Sequence, residues 1–244
     1  MTVIAVALTF GSGAMDVASF TRLGSVFTSV MTGNIVLWGL AAARGSLALA
    51  SHTAVAIAGY VLGVAAGSRI AVGAGKGRAV GAGNGRAVEG GTGGEDRAAA
   101  WPAHITWALL AELALLGGFA AGWEITGGRP GGWAQFCLLA VGAAGMGVQA
   151  SAVKHMGLAE VSTTYLTGTL TGLVSSLVSP GPAAPDRWRR LGVLLGLAAG
   201  ASLTGLLVAT APDGVPALPL AALITCVVLA SRPLGAAGDR GRKT

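Results

Sequence analysis

Asp16 and Glu112 are the residues of this 244-residue chain whose chemical type contrasts most sharply with their surroundings. Asp16 ends an otherwise uncharged N-terminal stretch, and Glu112 is flanked by apolar residues on both sides in the run TWALLAELALLGG. A carboxylate at the centre of a membrane helix costs about 2.5–3.5 kcal/mol on insertion scales, so such residues mark proton relays and cation sites. Each residue also has a structural alternative. Asp16 would pair with Arg22 near the interface, and Glu112 would form a hydrogen bond to a neighbouring helix that fixes packing.

Two related motifs, Met-Thr-Gly-Asn at 31–34 and Leu-Thr-Gly-Thr at 166–169, place small polar side chains beside glycine within apolar stretches. This combination favours a helix interruption, where freed carbonyl groups and half-helix ends can hold ions or polar ligand groups. Close helix packing is the alternative, because glycine and threonine let two backbones approach. The candidate substrate-binding residues, with Gln149 as the neutral counterpart of Asp16, are Asp16, Thr32, Gly33, Asn34, Glu112, Gln149, Thr167, Gly168 and Thr169.

The sequence does not contain catalytic residue types in the spacings that enzymes use. The sequence has no Walker A motif, no Gly-x-Ser-x-Gly motif and no plausible cysteine–histidine metal cluster. Cys137 and Cys226 lie in apolar stretches without a CxxC spacing, which is typical of small packing residues. We therefore expect neither an enzyme nor a bound metal or other cofactor.

The elements that must position these candidates are those of an integral membrane protein. Hydrophobic side chains make up 53% of the chain and charged residues 11%, against about 25% charge in an ordinary soluble domain, and mean hydropathy is +0.69. Several apolar runs reach about 20 residues, enough for a helix to cross a hydrocarbon core of about 30 Å. The net charge of +6 falls in the loops, where it sets orientation, so nucleic acid is not an expected partner. The eight apolar segments are 3–21, 24–43, 46–68, 103–123, 131–153, 161–179, 191–212 and 217–231.

The chain also repeats itself, which divides it into two membrane repeats at 1–125 and 126–244. The runs GYVLGVAAG and GVLLGLAAG carry three glycines each at an offset of 133 residues, and the two Thr-Gly motifs match at an offset of 135. A glycine at every fourth position makes a smooth groove for a second helix, either between the halves or in a homodimer. The residues that would form this face are Gly59, Gly63, Gly67, Gly192, Gly196 and Gly200.

The distribution of Lys and Arg favours six or seven membrane crossings over eight. If the first two segments of each half cross only once, one being re-entrant or broken, twelve basic residues share one face and only Arg44 and Arg129 occupy the other. Such asymmetry is typical of cytoplasmic loops. A seven-crossing version, in which only the second half is broken, divides the basic residues thirteen to two but places the N-terminus outside and weakens the symmetry of the halves, so we prefer six. We therefore expect an all-α bundle of about six helices (six to eight). Both termini, the short basic tail and a disordered loop at 73–100 are then cytoplasmic. Three crossings per half would make the repeats inverted, as in many secondary transporters.

The sequence resembles the YoaK family of bacterial membrane proteins, a domain of unknown function. The resemblance rests on GAMDVASFTRLGSVFTSVMTGN at residues 13–34, on Glu112 in ALLAELALL, and on GMGVQASAVKHMGLAEVSTTYLTGTLTG at residues 145–172. It implies a multi-pass protein of the bacterial inner membrane with a six-helix type of fold, and it supplies no substrate.

Together these features favour a small secondary transporter, or permease-like protein, embedded in the lipid bilayer. Its polar site would lie near the bilayer midplane and take a small polar solute, a proton or a cation. The alternative is a non-transporting membrane scaffold, or an assembly or stress-related protein, in which the same polar residues serve only packing.

Overall fold

The computed structural model describes residues 2–81, 103–155, 166–178 and 186–231. Within these ranges the chain contains eight α-helices and no strand, so the all-α prediction is confirmed. Each helix coincides with one of the eight apolar segments, and a short 3-10 helix, Pro212–Gly214, precedes the last one. The helices are α1 (Thr2–Arg22), α2 (Met31–Arg44), α3 (Leu47–Gly81), α4 (Ala103–Ile125), α5 (Trp133–His155), α6 (Leu166–Val178), α7 (Asp186–Thr210) and α8 (Ala217–Ser231).

Six stretches of the described chain are long and apolar enough to cross a membrane. They belong to α1, α3, α4, α5 and α7, and to the stretch Pro212–Leu229 that contains most of α8. In contrast, α2 has 14 residues and α6 has 13, which give only about 21 and 20 Å of helix at 1.5 Å per residue. The two short helices are the second segments of their halves, where the charge distribution predicts a re-entrant or broken element.

Two antiparallel helices, α1 and α5, form the centre of the bundle. In each of them 67% of an 18-residue apolar stretch is buried, against 22–33% in the corresponding stretches of the other four spans. Arg22 at the end of α1 meets Gln135 near the start of α5, and Ser12 meets Gln149 towards the end of α5. Each central helix also packs along a parallel helix from the other half of the chain, α1 along α7 and α5 along α3.

Glycines on α3 and α7 allow these close parallel contacts. A Cβ added to Gly59 would lie 2.7 Å from the Ala140 carbonyl oxygen of α5, and one added to Gly196 would lie 3.0 Å from the Val6 carbonyl oxygen of α1. All six glycines of the predicted groove, Gly59, Gly63, Gly67, Gly192, Gly196 and Gly200, face α5 or α1 within the chain. A homodimer through them stays a prediction, and the faces that point to the two central helices are already occupied.

One end of the bundle is marked by the C-terminal end of α1, and we call it the Arg22 end. There Arg22 donates from Nη2 to the Val208 carbonyl oxygen (3.0 Å), and Trp123 donates from Nε1 to the Pro212 carbonyl oxygen (2.8 Å). At Gly45 the chain ends α2 in the left-handed conformation (φ 62°) and reverses into α3. The C-terminal ends of α1, α4 and α7 thus lie with the N-terminal ends of α3, α5 and α8, and the six spans alternate in direction.

The predicted disordered loop at 73–100 is described only in its first part. Helix α3 continues through residues 73–81, where the sequence has no proline to stop it, so this part is helical backbone and not irregular chain. Residues 82–100 and the basic tail from 232 onwards lie outside the described residues.

Candidate functional site

The eight residues between α1 and α2 fold back along α1, and we call residues 23–30 the re-entrant segment. Its turn begins at Gly24, where the φ of 96° and the His52 ring packed against the Cα both require glycine. The segment then reaches Asp16 through Thr28 and Ser29. Asp16 lies six residues before the end of α1, which is about 9 Å along the helix axis. The chain therefore re-enters the bundle by about that depth before α2 begins.

Asp16 anchors the re-entrant segment with both carboxylate oxygens. Its Oδ1 atom accepts hydrogen bonds from the backbone nitrogens of Thr28 (3.0 Å) and Ser29 (2.8 Å) and from the Thr28 hydroxyl (3.1 Å). Its Oδ2 atom accepts from the Ser29 hydroxyl at 2.5 Å. Arg22, the alternative partner from the sequence, donates instead to α7. The buried carboxylate is thus satisfied by four donors, which suits a structural anchor.

Asn34 closes the other end of the re-entrant segment. Its Nδ2 donates to the Phe27 carbonyl oxygen (2.7 Å), and its Oδ1 accepts from the Phe27 backbone nitrogen (2.9 Å). The Thr-Gly motif therefore occupies the first turn of α2, and the interrupted backbone lies just before it. Thr32 is exposed, and Gly33 lies against the Phe27 ring.

Glu112 lies on α4 at a second polar position, separate from the re-entrant segment. The residue is only 1% exposed, and its Oε2 atom is buried without a hydrogen-bond partner among the residues that the structure describes. It borders a narrow crevice between α1, α4, α5 and α8, which we call the Glu112 crevice. The residues that line this crevice are Ala7, Leu8, Gly11, Glu112, Leu116, Met146, Gln149, Pro219, Ala222 and Leu223.

Gln149 borders the same crevice from α5 and ties the two central helices together. Its Nε2 donates to the Leu8 carbonyl oxygen (3.3 Å), and its Oε1 accepts from the Ser12 hydroxyl (3.1 Å). The crevice therefore combines one carboxyl group with an amide and a hydroxyl in apolar walls. The crevice has no room for a water molecule as it stands. A carboxyl oxygen in this setting can take up a proton, and a cation can contact it only when the surrounding helices move apart.

The second Thr-Gly motif lies apart from both of these positions. It forms the first described turn of α6, which packs on α7. Thr167 and Gly168 are exposed, and Thr169 is buried. The nine predicted residues therefore divide three ways. Glu112 and Gln149 share the crevice, Asp16 and Asn34 hold the re-entrant segment, and the short-helix residues Thr32, Gly33, Thr167, Gly168 and Thr169 line no part of the crevice.

Three polar residues of these sites were not expected from the sequence. Thr28 and Ser29 supply all four donors to Asp16, and Ser12 supplies the hydroxyl to Gln149. The sequence carries a usable signal for Thr28 and Ser29, because these two adjacent hydroxyl residues are separated from the Met-Thr-Gly-Asn motif by Val30 alone. A single serine within an apolar helix, such as Ser12, carries no comparable signal.

Six long apolar helices around a buried carboxyl group define the class: this is a polytopic α-helical membrane protein. The chain belongs to the family described as "Protein of unknown function (DUF1275)", whose model matches residues 4–231. It is also 29% identical over 166 residues to the UPF0700 transmembrane protein YoaK of Bacillus subtilis strain 168. That alignment covers 68% of this chain and 62% of YoaK, so the chain matches less than two thirds of its relative. The resemblance to YoaK is confirmed, and no solved structure matches the chain.

Proposed function

We propose that this protein is a small secondary transporter, and not an enzyme, in which Glu112 binds a proton or a cation. The observation that carries the proposal is that Glu112 borders a crevice and that its buried Oε2 atom has no hydrogen-bond partner among the described residues. An ionised carboxylate there would lose its hydration without compensation, so a bound proton or cation stabilises it. Binding and release of such an ion is the elementary step of coupled transport.

The position of the Glu112 crevice supports this function. Its walls come from α1 and α4 of the first half and from α5 and α8 of the second half. Secondary transporters bind ions and substrates at the interface between their repeats, and a rocking motion of one repeat exposes the site to each side in turn. A carboxyl group held between the halves is therefore suited to exchange its ion as the halves move.

We also propose that the two halves are inverted repeats. Gly13 of α1 faces the Leu197 carbonyl oxygen of α7, and Gly147 of α5 faces the Tyr60 carbonyl oxygen of α3, so the two parallel pairs pack in the same way. Their central members, α1 and α5, run antiparallel. Two units that pack alike but point in opposite directions are the arrangement of inverted repeats. The short helices α2 and α6 then occupy corresponding places.

The basic residues support an orientation in the plasma (inner) membrane of a bacterium. Arg22, Arg44 and Arg129 lie at the Arg22 end of the bundle, where α1, α2 and α4 end. The residues at the opposite end include Arg69, Lys154, Arg187, Arg189 and Arg190. By the positive-inside rule, this opposite end and both termini face the cytoplasm. Reporter fusions at the turns that follow α2 and α4 test this, and a cytoplasmic signal there would contradict it.

Proton exchange in liposomes tests the transport function. The purified protein is reconstituted into vesicles with an acidic lumen and a pH-sensitive dye, and sodium, potassium or tetraethylammonium ions are then added outside. None of these ions crosses a bilayer as a neutral base, so alkalinisation of the lumen requires exchange through the protein. At least one of them should alkalinise wild-type vesicles, and the Glu112→Gln variant should be at least about tenfold slower.

Glu124 provides the matched control, because it lies on the same helix and is exposed at its end. The Glu124→Gln variant should exchange ions at the wild-type rate. An unchanged rate in the Glu112→Gln variant would remove Glu112 from the cycle. Absence of exchange with every ion, and also with a quaternary ammonium ion that carries one long alkyl chain, would overturn the transporter and favour the non-transporting scaffold.

A further inference from the structure

An apolar groove of about 540 Å³ runs between α1 and α8 on the surface of the bundle. Its volume lies within the range of small-molecule sites. Val3 and Ala221 are exposed at its edge, on the stretches of helix that cross the membrane, so the groove opens towards the lipid. Hydroxyl groups occur only at Thr2 and Thr225, and no charged side chain is among the described lining residues. The apolar walls are Val3, Val6, Ala7, Phe10, Leu218, Ala221 and Ala222.

This groove is adjacent to the Glu112 crevice, because Ala7 and Ala222 line both spaces. Their side chains are single methyl groups, so the partition between the two spaces is thin. Gly11 extends the thin region, since a Cβ added there would lie 3.5 Å from the Cβ atom of Ala222. A small movement of α8 away from α1 would therefore connect the lipid-facing groove with the carboxyl group.

We propose that the groove is a lateral entrance and that the substrate is an amphipathic cation, with one ammonium group at Glu112 and an apolar body in the groove. This inference rests on the proposed transport function and names its substrate class. The Oε2 atom of Glu112 offers a position for one positive charge or one hydrogen-bond donor. The apolar walls of the groove, in turn, favour binding of the apolar body of the substrate, because that body leaves water or the lipid interface when it enters. A molecule with a single charged head and an apolar body matches both spaces at once.

The same carboxyl group then serves the proton and the substrate in turn. When the ammonium group binds, the proton leaves Glu112 and the carboxylate pairs with the ammonium ion. When the ammonium ion leaves, a proton returns to the same oxygen. The charge at Glu112 is balanced in both states, so the site exchanges one cation for one proton.

Photolabelling of the reconstituted full chain tests this substrate class. The probes are an alkylammonium ion that carries a diazirine in its chain and the alcohol with the same chain and diazirine. Mass spectrometry locates the labelled peptides. The ammonium probe should label the groove at residues 2–11 and 217–226 at least about tenfold more than the alcohol, which corresponds to one factor of ten in affinity. In the Glu112→Gln variant its labelling should fall to the level of the alcohol, whereas Glu124→Gln should leave it unchanged.

The comparison of the two probes on the wild-type protein does not depend on the folding of any variant. Equal labelling by the ammonium ion and the alcohol would overturn the inference, because the groove would then hold hydrocarbon chains of any head group, as lipids provide. Labelling confined to other helices would overturn it as well. If Glu112-dependent exchange of sodium or potassium persists beside such a result, the transporter stands and only the substrate class falls.

Discussion

Replacement of Asp16 by alanine should release the re-entrant segment from α1 while the six spans stay in place. The carboxylate of Asp16 accepts two backbone and two hydroxyl hydrogen bonds from Thr28 and Ser29. In the alanine variant the hydroxyl groups can rotate to other acceptors, but the two buried N–H groups lose their partner. Each such loss costs about 1–3 kcal/mol, so the segment should be destabilised by about 2–6 kcal/mol.

Hydrogen exchange of peptides that cover residues 23–34 measures this local opening in nanodiscs. Because each 1.4 kcal/mol corresponds to a factor of ten, the Thr28 and Ser29 amides should exchange about 30-fold to 10⁴-fold faster in the Asp16→Ala variant. The Asp16→Asn variant keeps one side-chain oxygen that can accept from the backbone N–H groups of Thr28 and Ser29, but it loses the negative charge. The exchange of these two amides should therefore be accelerated by about tenfold or less.

Thr21→Ala is the control for this experiment, because the Thr21 hydroxyl is on the same helix and, among the residues that the structure describes, donates only to carbonyl groups of its own preceding turn. This variant should exchange like the wild type. Wild-type protection of the Thr28 and Ser29 amides in Asp16→Ala would refute the anchoring role of Asp16.

Two further substitutions test the packing of the bundle by the midpoint of thermal unfolding in detergent. Gly63→Ala should lower it by several degrees, because the new Cβ would overlap the Ala144 carbonyl oxygen, whereas Gly39→Ala meets no described atom within 4 Å and should raise it slightly. Trp123→Phe removes the buried indole donor to the Pro212 carbonyl oxygen and should cost about 1–3 kcal/mol, whereas Trp133→Phe, at an 85% exposed site, should have little effect. Equal unfolding midpoints for the two glycine variants would contradict the contact of Gly63 with α5, and equal midpoints for the two tryptophan variants would contradict the hydrogen bond of Trp123.

The spans could be predicted from the sequence because each is an apolar run of about 20 residues, and lipid makes a helix the available solution. The same reasoning could not locate the re-entrant segment. Residues 24–30 are apolar enough to have been included in the second segment, yet the structure begins α2 at Met31. Hydropathy does not distinguish a helix from irregular backbone that is buried and satisfied by a side chain such as Asp16.

The candidate residues were found by type, but their grouping depends on packing. Glu112 and Gln149 are 37 positions apart in the sequence and share a crevice because α4 and α5 pack together beside α1 and α8. Glycine spacing had suggested a repeat offset of 133, which pairs Asp16 with Gln149. If the halves are repeats, the matching contacts of Gly13 and Gly147 place α1 on α5 at an offset of 134, which pairs Asp16 with Ala150. Their partners Tyr60 and Leu197 place α3 on α7 at an offset of 137. A one-residue shift turns a side chain by about 100° around a helix, so only contacts fix this register.

The account depends most directly on Glu112 as the carboxyl group that takes up a proton inside the bundle. Dicyclohexylcarbodiimide, a hydrophobic reagent, modifies protonated carboxyl groups in apolar surroundings and leaves a mass label on the residue. Treatment of the wild-type protein in its native membrane should label Glu112, and it should leave Asp16 unlabelled, because both Asp16 oxygens are already occupied by hydrogen bonds from Thr28 and Ser29. Label on Asp16 with none on Glu112 would contradict the central claim.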